Sequence, residues 1–198
     1  MYYWAYQDME RAHETALITE SFPDEYKKEG YWQTLAALCI ITGDTTRART
    51  IMDKKTFAKD DQTRFIFDML MSSLLGDCAK GAAMLDTVRT NYKSIPSDRL
   101  TSLKFALGSC QLESGEYEAA IANLQEITSS KRMLLDFGPY YPAAHFLLAK
   151  AYDASGDIRK AIDQYRFFLT LWEQSDPDLP FRRDAEARVA ELEAASNM

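Results

Sequence analysis

Four short segments of the sequence share one pattern, and this pattern limits the possible folds more than any other feature. The segments are ITGDTTRA, LLGDCAKG, ESGEYEAA and ASGDIRKA. Each has a Gly followed by an acidic residue, and a small residue stands five positions after that Gly. Successive glycines are 33, 39 and 41 residues apart. A recurrence of this length predicts an array of helical repeats, with turns at Gly43, Gly76, Gly115 and Gly156.

The residue types in this pattern suit a turn between two helices. Gly adopts the left-handed backbone conformation without steric cost, and the acidic side chain can cap the next helix. The small residue lets the second helix approach the first, and the four are Ala48, Gly81, Ala120 and Ala161. Apolar residues elsewhere recur at helical spacing, and no segment alternates as a strand would. We therefore predict an all-α fold.

At these residues the chain resembles the tetratricopeptide repeat (TPR) family. The resemblance implies an α-solenoid of TPR-like helix-turn-helix repeats. The second unit departs most from the family pattern, because Met69 is too large for its position and Asp68 is too polar. The residues that match the family's packing positions are Trp32, Leu35, Ala36, Cys39, Ala48 and Met52; then Phe65, Asp68, Met69, Ser72, Gly81, Leu85 and Val88; then Leu107, Gly108, Gln111, Ala120, Leu124 and Ile127; and finally His145, Leu148, Ala149, Tyr152, Ala161, Tyr165 and Phe168.

We predict a single TPR-like array over residues 1–198. A partial first repeat occupies 1–28, and repeats follow at 29–61, 62–99 (divergent), 100–140 and 141–176. A capping helix at 177–198 places Ala185, Val189 and Leu192 on one face, as the polar-backed end of a solenoid requires. The partial repeat leads us to expect a piece of a longer polypeptide; the alternative is that residues 1–6 only begin an aromatic-rich helix.

The segment LTLWEQSDPDLPFRRDAEARVAEL also resembles the end of TPR regions in large bacterial signalling proteins, such as kinases and transcription regulators. This resemblance implies a scaffolding or regulatory segment of a larger bacterial protein. Its function would be protein–protein interaction, with a protein or peptide as the partner.

Composition and motifs argue against other classes of function. The net charge of −7 gives no general attraction for nucleic acid or for anionic membranes, and no secretory signal or membrane-length apolar run is present. Two His and three scattered Cys predict no metal site, and the cysteines are interpreted as thiols of a reducing cytosol. No phosphate-binding Gly motif occurs. We expect a cytoplasmic protein without a cofactor, and not an enzyme.

The TPR resemblance also implies which residues would line the concave surface and contact the partner. Most of the central ones are apolar, which predicts a groove for an amphipathic helix or an extended apolar segment. Only Lys150 offers a cation, so a clamp for an acidic chaperone tail is not expected. The predicted partner-binding residues are Gln33, Ala37, Ile40, Ile66, Leu70, Phe105, Ser109, Leu112, Phe146, Lys150 and Asp153.

Two alternatives to this groove stay open at this point. The apolar members, Ile40, Leu70, Phe105 and Phe146, could instead belong to the core or pack against a neighbouring domain. The chain could also be a self-association module, in which the aromatic N-terminal residues Tyr2, Tyr3, Trp4 and Tyr6 pair two arrays into a homodimer or close a longer solenoid.

Overall fold

The computed structural model describes residues 44–53, 61–91, 97–129, 140–175 and 179–196, together with Glu14, Ile18, Ser21, Pro23, Leu35, Ala36 and Cys39. All regular secondary structure in this part of the chain is α-helical. The prediction of an all-α fold is therefore confirmed. The chain divides into two compact units, one that includes Gln7–Ser94 and one that includes Ile95–Met198.

The unit that includes Gln7–Ser94 has three helices with described bounds: α1 (Thr45–Asp53), α2 (Asp61–Leu74) and α3 (Cys78–Asn91). Helices α2 and α3 pack against each other as a hairpin. The described part of this unit's core is a cluster of buried apolar residues, Leu35, Ala36, Cys39, Ala48, Ile51 and Met71.

The unit that includes Ile95–Met198 has five helices with described bounds: α4 (Ser97–Glu113), α5 (Tyr117–Thr128), α6 (Tyr140–Ser155), α7 (Ile158–Leu171) and α8 (Pro180–Ser196). Each helix packs against the next one along the chain, and α6 also contacts α4. A single core cluster runs through all five, from Phe105 on α4 to Leu192 on α8. Successive hairpins thus share one continuous apolar interior within this unit.

Three of the predicted glycine turns have one geometry. Gly76, Gly115 and Gly156 all have left-handed backbones, with φ of 85°, 79° and 86°. In each turn the residue after the glycine donates its N–H to the carbonyl five residues earlier, over 2.8–2.9 Å. These bonds satisfy a carbonyl at the helix end that would otherwise lack a partner. The turn predicted at Gly43 lies outside the described residues.

The acidic residues after these glycines do not all act as caps. Asp77 and Asp157 each accept a hydrogen bond from the backbone N–H three residues later. Glu116 makes no such side-chain bond. Asp, whose side chain is one methylene shorter, is preferred at this position and Glu is not.

Helix α8 is held at the end of the unit by both apolar and polar contacts. Its buried residues include Phe181, Ala185 and Leu192. Arg182 donates from Nη1 to the carbonyl oxygens of Ser175, at 2.8 Å, and Glu173, at 3.3 Å, just beyond the end of α7. A cation at this place offsets the partial negative charge of a helix C-terminus. The start of α8 is therefore fixed to the end of α7.

Candidate functional site

A groove lies between α6 and α8, with α7 beneath it. Its volume is about 520 Å³. Residues spaced three or four apart on one helix share a face, and both walls follow this rule. Residues of α6 form one wall, residues of α8 form the other, and Tyr165 belongs to α7. The groove is lined by Phe146, Lys150, Asp153, Ala154, Tyr165, Asp184, Ala187, Arg188 and Glu191.

The floor of this groove is aromatic and buried. The Phe146 ring centroid lies 4.7 Å from that of Phe181 on α8 and 5.3 Å from that of Phe168 on α7. It also meets Tyr165 edge-on at 5.9 Å. Tilted and edge-to-face pairs at such distances stabilise aromatic clusters. One ring of α6 therefore ties all three helices together.

The Tyr165 side chain is buried in this floor, and its hydroxyl is poorly placed to ionise. Burial, and then the nearby charge of Asp153, raise the pKa of Tyr165, while Arg188 acts in the opposite direction. We infer that the phenol stays neutral at physiological pH and serves as a packing group.

An ion pair crosses the groove from one wall to the other. Arg188 donates from Nε and Nη2 to the two carboxylate oxygens of Asp153, at 2.7 and 3.0 Å. Its Nη1 donates to Glu191 at 2.6 Å. The bond to Asp153, and then that to Glu191, raise the pKa of Arg188. This two-pronged pair links α6 to α8.

Two further charges line the walls without such a partner. The exposed Lys150 places Nζ 5.9 Å from the centroid of the Phe146 ring. Asp184 is exposed on the α8 wall. Neither side chain makes an ion pair or hydrogen bond within the described part of the chain, so both charges face water in the open groove.

Phe146, Lys150 and Asp153, which were predicted to bind the partner, meet at this groove, but not in the roles expected. Phe105 and Phe146 are only 1% and 3% exposed. The expectation that these two rings form an open apolar surface is therefore wrong, because neighbouring helices cover them and leave Phe146 as floor only. Asp153 is already engaged by Arg188.

The other predicted residues fall elsewhere. Ser109 and Leu112 are partly buried on α4, and Leu70 is partly buried in the other unit. None of these three lines the groove. Gln33, Ala37, Ile40 and the side chain of Ile66 lie outside the described residues. For every one of these positions, contact with a partner stays a prediction.

Sequence reasoning missed the α8 wall. Asp184, Ala187, Arg188 and Glu191 follow helical spacing, one face away from the apolar set Ala185, Val189 and Leu192. The signal was present in this spacing. The sequence does not give the angle at which α8 packs on the other helices. This angle decides that the second face of α8 turns towards α6.

A second cavity, of about 540 Å³, lies within the unit that includes Gln7–Ser94. None of the residues predicted to bind a partner lines it. Two basic and two acidic residues contribute to its walls, which are formed by Arg49, Asp68, Met71, Ser72, Leu75, Asp77 and Lys80.

His145 is an interior histidine, as expected from its position in the repeat. Its ring packs between Tyr141 and Phe167, with centroids 4.7 and 4.6 Å away. Nδ1 lies 2.7 Å from Oε1 of Gln164, whereas Nε2 is buried and has no hydrogen-bond partner among the described residues. Burial lowers the pKa of His145, and the bond to Gln164 opposes this shift.

The cysteines differ from the predicted set of thiols. Neither Cys78 nor Cys110 is a free thiol, so the prediction of reduced thiols is wrong for these two. Cys39 is buried, and burial raises the pKa of its thiol. The cysteines therefore no longer support a reducing compartment, and the cytoplasmic location stays a prediction.

Two further observations concern metal ions and membranes. In the described ranges, no group of three or more His, Cys, Asp or Glu side chains is placed to hold a metal ion. None of the described helices is both long and apolar enough to cross a membrane.

Comparison with known proteins adds no relative. No family model, no curated protein and no solved structure matches the chain. Membership of the TPR family thus stays a prediction from the quoted motifs.

Proposed function

We propose that this chain is a protein–protein interaction module that binds a helical or extended segment of its partner in the groove between α6 and α8. The observation that carries the proposal is the form of this groove. It has a buried aromatic floor, two helical walls linked by the Asp153–Arg188 bridge, and a volume of about 520 Å³. A preformed groove of this kind lowers the ordering cost of binding a segment.

The proposal includes a TPR-like solenoid with α8 as its capping helix. Three observations support this arrangement. The turns at Gly76, Gly115 and Gly156 have one geometry. The small residue five positions later is buried in each case. Within the unit that includes Ile95–Met198, each helix packs on its neighbour along the chain.

We propose a binding role and not a catalytic one. General acid–base catalysis needs a desolvated titratable group within reach of a substrate. The carboxylates of Asp153 and Glu191 are held by Arg188, and Asp184 is open to water. From the resemblance of the C-terminal segment, we further expect a cytoplasmic regulatory segment of a larger bacterial signalling protein.

The groove can be tested by filling it. Ala187 is exposed on the α8 wall, so Ala187→Trp places a large ring in the cavity without disturbing the core. Ala190 is exposed on the same helix and does not line the groove, which makes Ala190→Trp the matched control. Helical peptides selected by display against the wild-type chain should lose about tenfold or more in affinity for Ala187→Trp, a loss of about 1.4 kcal/mol.

The control defines the outcome that contradicts the proposal. Peptides selected on the wild-type chain should bind Ala190→Trp within about twofold of the wild-type affinity. Equal binding to both tryptophan variants, or the failure of selection to yield any binder sensitive to Ala187→Trp, would exclude the groove as the binding surface.

Self-association is the alternative carried over from the sequence. The aromatic residues that would pair two chains, Tyr2, Tyr3, Trp4 and Tyr6, lie outside the described residues. Light-scattering mass at several concentrations separates the two hypotheses. We expect a concentration-independent monomer; a mass that rises towards twice the chain mass would favour a homodimer.

A further inference from the structure

The walls of the groove between α6 and α8 carry opposite unpaired charges. Lys150 extends from α6 over the Phe146 ring, and Asp184 stands on α8. The charge of Asp184 reaches the groove interior, because it helps to raise the pKa of Tyr165 on the floor. Lys150 and Asp184 are thus the two wall charges that a bound segment would meet first.

The other charged groups of the groove already satisfy one another. Arg188 uses three of its nitrogens for Asp153 and Glu191, at 2.6–3.0 Å. A ligand would have to break these short bonds to use Arg188 or Asp153. The cluster of Arg188 with Asp153 and Glu191 keeps a net charge of −1. The charges without a partner in the described part of the chain are the cation of Lys150 on the α6 wall and the anion of Asp184 on the α8 wall.

We propose that this groove selects an amphipathic helix with acidic residues along one flank and basic residues along the other. The inference rests on the proposed function. The apolar ridge would lie along the groove between its two walls, the acidic flank would face Lys150 and the basic flank would face Asp184. A wholly basic helix would meet the like charge of Lys150, and a wholly acidic helix would meet the like charges of Asp184 and of the net-negative cluster around Arg188.

Three synthetic peptides of about 18 residues, roughly five helical turns, test this selectivity. All three carry the apolar ridge of a binder selected by display. One has a Glu flank and a Lys flank, one has Lys on both flanks, and one has Glu on both. A helix can lie in the groove in either of two opposite directions, and one of them turns the Glu flank towards Lys150 and the Lys flank towards Asp184. A single mixed peptide is therefore sufficient.

For the wild-type chain, the mixed peptide should bind about threefold to tenfold more tightly than either uniform peptide, since exposed ion pairs are individually weak. This preference should shrink when the salt concentration is raised, because mobile ions screen exposed charges. Affinities are measured by fluorescence anisotropy.

Two charge reversals then move the preference in opposite directions. Lys150→Glu makes both walls acidic, and the peptide with two Lys flanks should become the tightest. Asp184→Lys makes both walls basic, and the peptide with two Glu flanks should become the tightest. Both side chains are exposed, and neither ion-pairs within the described residues, so folding should be retained; circular dichroism verifies this.

Each outcome of the peptide series has a distinct meaning. Binding of all three peptides with equal affinity, or preferences that do not follow the two reversals, overturns the charge selectivity and leaves the groove proposal standing. If display yields no peptide whose binding is lost in the Ala187→Trp variant, the groove proposal fails, and the charge selectivity fails with it. Preferences that follow both reversals support the inference.

Discussion

The close approach of α4 and α5 at Gly108 leads to a quantitative prediction for Gly108→Ala. A Cβ atom at this position would lie 2.8 Å from Cγ and 3.1 Å from Cδ2 of Leu124, and 3.6 Å from the carbonyl oxygen of Ala120. Ordinary contact between such atoms begins at about 3.4 Å. Leu124 or one helix must therefore shift by about 0.6 Å, and Leu124 is fully buried.

Two opposing effects set the magnitude. Overpacking a filled core costs about 1–3 kcal/mol, whereas replacing Gly by Ala inside a helix contributes about 1 kcal/mol of stability. We expect a net loss of about 1 kcal/mol in the free energy of unfolding. The melting temperature of a chain of this size should fall by about 2–4 °C.

Thermal and urea unfolding, followed by circular dichroism, measure this change. The double variant Gly108→Ala with Leu124→Ala provides the control, because removing Leu124 also removes the clash. The two substitutions should therefore cost less together than the sum of their separate costs. An increase in stability for Gly108→Ala alone would refute the close approach and, with it, the assignment of Gly108 to a packing position of the third repeat.

Three further predictions concern polar and titratable groups. Arg182→Ala removes the bonds that close the end of α7 and should cost about 1 kcal/mol, whereas Arg183→Ala, an exposed neighbour, should stay within about 0.5 kcal/mol of wild type in thermal unfolding. Asp153→Asn should lower the free energy of unfolding, measured with urea, by about 0.5–1 kcal/mol. The loss should be small because the Asp153 side chain is only 15% exposed but that of Arg188 is 42% exposed, so solvent screens its charge. No loss would mean that this bridge does not hold α6 to α8. Because burial lowers the pKa of His145 below its ordinary value of 6.5, the unfolded chain takes up the proton first, and stability should fall as the pH drops through 6.5. In His145→Phe, the loss of stability that His145 causes between about pH 7.5 and about pH 5.5 should disappear. An unchanged pH dependence of stability in this variant would contradict the assignment of this loss to His145.

The features that follow from local sequence were predictable. Gly76, Gly115 and Gly156 end their helices because few other residues adopt a positive φ at low cost. The small residues Ala120 and Ala161 are buried because a hairpin needs close approach where its two helices cross. These properties depend on a few adjacent residues, so the pattern in the sequence was sufficient to indicate them.

The features that depend on docking were not predictable. Phe146 lies on a face of α6 that sequence reasoning assigned to the partner, but α8 folds over that face and its Phe181 covers the ring. The same docking turns Ala187 and Arg188 towards α6 and creates the groove. Helical spacing indicates which residues share a face, but the identity of the element that covers this face is decided by tertiary packing.

The most direct test of the central claim, that the groove between α6 and α8 binds the partner segment, is nuclear magnetic resonance of the isotope-labelled chain during titration with the mixed-flank peptide. We predict that the largest chemical-shift changes occur at backbone amides within residues 146–154 and 184–191. Shifts concentrated within residues 44–91, around the second cavity, or shifts spread without preference for either region would contradict the account.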